Sequence, residues 1–94
     1  MTPESYLDTH RDAIALLLKR LIACPTVNPP GRNYDAMTRL LVAELQRVGC
    51  ETKRLEVPVD HARPSHQAEV KACPRWNVLG QLKGSTTETL HFNA

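Results

Sequence analysis

The sequence predicts an α/β chain in which two amphipathic helices precede the first strands of a mixed sheet, with that sheet unfinished. Three observations predict it. Apolar residues recur at three- and four-residue steps as far as Val48. After Gly49 the period drops to two. The closing residues Leu90 to Ala94 read as the middle of a buried strand, where a natural domain more often ends on polar, solvated residues. The expected layout over residues 1–94 is helices at about 3–23 and 33–48, strands at about 51–59, 76–82 and 89–94, and an insertion at 60–75.

The first helix starts well. Thr2 can cap it, and Pro3 suits the first helical position. Tyr6, Leu7, Ile14, Leu17, Leu18 and Leu21 form one apolar stripe, and Pro25 ends the helix. The stretch Pro25-Thr-Val-Asn-Pro-Pro-Gly31 holds too many prolines to be helix interior and predicts an extended run with a turn. Tyr34, Met37, Leu41, Leu45 and Val48 give the buried stripe of the second helix, with Asp35 at its positive end and Gly49 as a left-handed C-terminal cap.

In the first strand Leu55, Val57 and Val59 alternate with Thr52, Arg54 and Glu56, which predicts a wet face carrying the polar set. Pro58 favours an edge position. The insertion is polar, and Ser65 to Cys73 can form a short helix capped by Ser65. In the second strand Trp76, Val78, Gly80 and Leu82 share a face. In the third, Leu90, Phe92 and Ala94 alternate with His91 and Asn93.

Composition excludes several function classes. Twelve basic and ten acidic residues leave a net charge of +2, too even for a nucleic-acid footprint or a polybasic membrane segment. The four aromatics, Tyr6, Tyr34, Trp76 and Phe92, are too few for a base-stacking platform. No apolar run approaches the roughly 20 residues of a membrane span, and the N-terminus lacks a basic, then hydrophobic, secretion signal. Cys24, Cys50 and Cys73 are odd in number and widely spaced, which points to reduced thiols and a cytoplasmic location.

Candidate chemistry is thin. Cys50, His61, His66 and Cys73 invite a zinc reading, yet only the two histidines have ligand-pair spacing. His10 reads as a surface residue of the first helix, and Asp60 and Glu69 as solvated groups of the insertion. Cys24 sits at a helix C-terminus, where the dipole disfavours a thiolate. There is no Gly-x-Ser-x-Gly elbow, no Ser-x-x-Lys and no glycine-rich phosphate cradle. No catalytic, cofactor-binding or metal residue is therefore assigned.

The order of motifs resembles the N-terminal stretch of the zinc-dependent metallohydrolases that include acetylornithine deacetylase, succinyl-diaminopimelate desuccinylase, aminoacylase and carboxypeptidase G. The matching pieces are Leu21-Ile-Ala-Cys-Pro-Thr-Val-Asn-Pro-Pro-Gly31, the helix end Arg47-Val-Gly49, Arg75-Trp-Asn-Val-Leu-Gly80, Leu82-Lys-Gly84 and Leu90-His-Phe-Asn-Ala94. The resemblance implies a partial zinc-peptidase-like catalytic domain. It also implies, for the full-length family, two zinc or cobalt ions about 3.5–4 Å apart that activate a water for attack on an amide. The implied substrates are N-acyl amino acids or small peptides. In the family the strand matching Leu90–Ala94 runs into a His-x-Asp motif that supplies the first ligands, so no family ligand falls on this sequence, and His91 is not one. The chain is then expected to be scaffold, inactive alone. The other expectation is a non-catalytic binding or regulatory module that self-associates or pairs with a partner through an open sheet edge.

Overall fold

The computed structural model describes residues 2–94. The chain is mixed α/β, with four helices and one two-stranded antiparallel sheet among the described residues. The helices are α1 (Pro3–Thr9), α2 (Arg11–Ala23), α3 (Tyr34–Arg47) and α4 (Gln67–Ala72), and the strands are β1 (Glu51–Glu56) and β2 (Trp76–Gln81).

The expected first helix is two helices bent at His10. Thr2 and Ser5 close a reciprocal capping box at its start, and Pro3 opens the first turn. Backbone bonds continue through the bend, from His10 N to the Tyr6 carbonyl at 3.0 Å and from Ile14 N to the His10 carbonyl at 2.9 Å. The His10 ring explains the bend. Its Nδ1 donates to that same Tyr6 carbonyl at 2.9 Å while the ring stacks on Tyr6, 3.9 Å between centroids. Thr9 adds a side-chain bond to the Ser5 carbonyl at 2.8 Å, a back-bond that bends helices.

Helix α3 follows its sequence closely. Asn33, left-handed at φ 61°, donates from Nδ2 to the Pro25 carbonyl at 2.8 Å and so fixes the proline-rich segment to the helix start. At the other end Gly49 N bonds to the Gln46 carbonyl and Cys50 N to the Leu45 carbonyl, each at 3.0 Å. This pairing requires a left-handed residue after the cap, and Gly49 supplies it at φ 94°.

Strands β1 and β2 pair in a register that sets Arg54 opposite Val78, Thr52 opposite Gly80 and Glu56 opposite Trp76. Helix α3 packs on that face of both strands. The expected wet face is thus reversed. Thr52 and Arg54 lie half-buried under α3, while Leu55 and Leu79 project from the uncovered face and are exposed. The cause is β2: its face of Trp76, Val78 and Gly80 is the one able to receive a helix, and register forces Arg54 to share it.

Other boundaries also shift. Strand β1 stops at Glu56, and Val59, expected in the strand, opens a 3₁₀ turn to His61 after Pro58. In the insertion, Pro64–His66 forms a second 3₁₀ turn that leads into α4, and Ser65 is not its cap. Residues 82–94 carry no regular structure, so the expected third strand 89–94 is not formed, and the sheet is not mixed. No third ladder holds that segment, and Leu90 and Phe92 stand 81% and 86% exposed.

Apolar burial is correspondingly slight. Val70 of α4 is the one buried hydrophobic residue among those described, at 4% exposure. On α2 only Leu17 and Leu21 of the expected stripe are half-buried, and Ile14 and Leu18 stay exposed. The chain exposes 7923 Å². A compact monomer of its mass exposes about 5,400 Å². Its radius of gyration is 16.4 Å, against about 12 Å for a compact chain of this length.

Candidate functional site

The most ordered cluster of side chains ties α3 to the sheet. Thr38 is 5% exposed, and its hydroxyl reaches the Tyr34 and Asp35 carbonyls at 2.8 and 3.0 Å. The same oxygen accepts from Arg54 Nε at 3.1 Å. The Arg54 guanidinium also pairs with the Asp35 carboxylate and lies over the Trp76 ring, 4.2 Å from its centroid. Trp76 is diagonal to Arg54 across the two strands, so the stacking follows from the register. Hydrogen bonds from Arg39, then Arg54, hold the Asp35 carboxyl below its ordinary value of 3.8. The arginine stem fills space that an aliphatic residue would otherwise occupy. Every charge in this cluster is paired, so it positions elements and offers no free reactive group.

A second tie joins α2 to α3. Arg20 bonds to Glu44 at 2.8 Å, and Arg47 reaches the other carboxylate oxygen at 3.0 Å. Hydrogen bonds from Arg47, then Arg20, lower the Glu44 pKa from its ordinary 4.5.

The residues singled out in the sequence are dispersed. His10 serves the α1–α2 bend. Cys24 caps α2, Cys50 follows the α3 cap, and Cys73 ends α4 beside a cleft at the start of α3. His61 and His66 do share a cleft within the insertion, but neither Cys50 nor Cys73 lines it. Asp60 lies in the first 3₁₀ turn, Glu69 in α4 and His91 in the unstructured tail. Among the described residues no group of three or more His, Cys, Asp or Glu side chains could hold a metal ion. These residues do not fit the pair of zinc ions that the resemblance implies.

Sequence reasoning missed the Arg54 cluster and the placement of Arg63 and Arg75 beside His61 and His66 at the insertion cleft. An arginine and a tryptophan twenty-two positions apart give no sign of contact until the strand register is known. No helix is long and apolar enough to cross a membrane among the described residues. Comparison with protein-family models, curated proteins and solved structures finds no match to this chain.

Proposed function

We propose that this chain is a scaffold portion of a zinc-dependent amidohydrolase that acts on N-acyl amino acids or small peptides. Its role is to cover and brace a catalytic sheet. The motif order quoted above supports the family. The observation that carries the scaffold role is the open architecture: about 2,500 Å² more surface than a compact chain of this mass exposes, with Leu55 and Leu79 bare on one sheet face and Leu90 and Phe92 bare beyond it. A sheet of this kind is stable when helices or strands cover both faces. The structure leaves room for that second layer on the side away from α3.

On this reading the metal ligands and the general base come from polypeptide outside these residues, and the 94 residues bind no metal pair. The three free cysteines suit a reducing cytoplasm. The test is zinc content and N-acetylornithine hydrolysis by the purified chain. The expected result is neither tight zinc nor turnover, and stoichiometric zinc with turnover refutes the proposal. Sequencing the transcript downstream of the Ala94 codon tests the family directly, because a His-x-Asp continuation is expected there.

A second reading rests on the two outer edges of the sheet, which no strand covers among the described residues. Such edges accept another strand, so a pairing module is the alternative function. Sedimentation across a dilution series separates the two, since a monomer at every concentration removes self-pairing.

A further inference from the structure

The insertion builds a feature that the scaffold reading does not use. Its two 3₁₀ turns pack against α4, and residues of these elements with Val57 and Arg75 bound a cleft of about 240 Å³. Val57 and the buried Val70 line its apolar part. The remaining wall is basic in character: His61, Arg63, His66 and Arg75 all line the cleft, and no carboxylate does. Asp60 and Glu69, the acids of the same stretch, lie outside that lining.

The arginines here differ from most others in the chain. Arg11, Arg20, Arg39, Arg47 and Arg54 each pair with a carboxylate. Arg63 and Arg75 pair with none among the described residues. Arg75 is also held in place. Its backbone carbonyl accepts from Val57 N at 2.8 Å, and its terminal nitrogen reaches the Pro30 carbonyl at 3.4 Å. Its Nε is buried without a hydrogen-bond partner. That Nε lies on the Gly31 side, 3.6 Å from where a Gly31 Cβ would stand, so it is a cost within the fold and not a donor to the cleft.

We propose that this cleft binds a phosphate group, either as the free ion or as a small phosphomonoester. The unpaired Arg63 guanidinium offers a planar fork that matches phosphate oxygens, Arg75 adds a positive charge at the lining, and two imidazoles add donors. A dianion with several acceptor oxygens uses more of these donors than a single carboxylate can. The proposal stands whether or not the chain belongs to the metallohydrolases.

The experiment is a titration of the 94-residue chain with inorganic phosphate at constant pH and ionic strength, read by NMR of the imidazole protons. Saturable shifts are expected at His61 and His66, with His10 and His91 unmoved. Arg63→Ala, on an exposed side chain, should weaken binding on the order of tenfold, the effect of losing one charge-assisted contact. Arg75→Lys should weaken it less than Arg63→Ala, because the charge at the lining remains. Acetate should bind more weakly than phosphate. O-phosphoserine saturating the same shifts assigns a phosphomonoester, and its exclusion assigns the free ion. Absence of saturation, equal shifts at all four histidines, or unchanged affinity in Arg63→Ala overturns the proposal.

Discussion

At Gly80 the side chain of Leu45 from α3 lies close over β2, and a substitution there measures how tightly the two are joined. A Cβ built on Gly80 lies 3.0 and 3.3 Å from the two methyl carbons of Leu45 and 3.6 Å from its Cγ. Carbon atoms prefer about 3.5–4.0 Å, so Leu45 must withdraw by about half an ångström for alanine. Moving a flexible leucine off its rotamer costs about 0.5–1.5 kcal/mol. Replacing a strand glycine returns about 0.5–1 kcal/mol. Gly80→Ala should therefore change stability by less than about 1 kcal/mol in either direction. Gly80→Val pushes two more methyl groups into the same contact and should destabilise by about 1–3 kcal/mol. Gly84 is the control, since a Cβ there meets nothing within 4 Å. Trp76, the single tryptophan, sits on the packed face of the same strand and reports unfolding in urea through its fluorescence. The midpoint should fall in the order Gly84→Val, Gly80→Ala, Gly80→Val, and Leu45→Ala should recover part of the loss in the valine variant. An unchanged midpoint for Gly80→Val, or an equal loss for Gly84→Val, refutes the packing described.

Arg54→Met and Trp76→Leu, combined in a double-mutant cycle, should show coupling of about 1–2 kcal/mol, because the arginine side chain is only 18% exposed over the ring. Acid should also weaken the fold through Asp35 and Glu44. Both have lowered folded pKa values, so their stabilising effect is complete above the ordinary 3.8 and 4.5 and is lost as pH falls through the lowered values. Unfolding midpoints measured from pH 6 to pH 2 should show this limb, and Asp35→Asn with Glu44→Gln should flatten it. Asp35 is open to solvent and Glu44 half-buried, so salt should shrink the effect, more at Asp35 than at Glu44. The isolated chain should be marginal, holding no more than about 3–5 kcal/mol, and a sharp high-temperature transition in calorimetry would contradict that.

How much of this was legible in the sequence depends on whether the cause was local. The Thr2 cap, the Pro3 start and the Gly49 turn are set by residues within one helical turn of each other, and each appears where the sequence puts it. The bend at His10 is local too, but its signal is a side chain that competes for a backbone carbonyl, which apolar periodicity does not register. The covered sheet face escapes the sequence for a different reason. Alternation separates Leu55 from Arg54 but does not say which of the two α3 will cover. Cross-strand register decides that, and it pairs Arg54 with Val78 and places Trp76 within reach.

The same distinction bears on residues 82–94. Their alternation of Leu90, Phe92 and Ala94 is a strand pattern, yet a strand is completed by its neighbour and not by its own residues. No strand pairs with them among the described residues, so the pattern is present and the ladder is not. Two large apolar side chains then stay in water at 81% and 86% exposure, and burying each fully would contribute about 1.5–3 kcal/mol. That unrealised contribution is comparable to the whole stability expected of the isolated chain. A polypeptide segment that pairs with residues 89–94 should therefore both order them and raise the unfolding midpoint of the α3–sheet unit, whether it comes from the same protein or from a second copy.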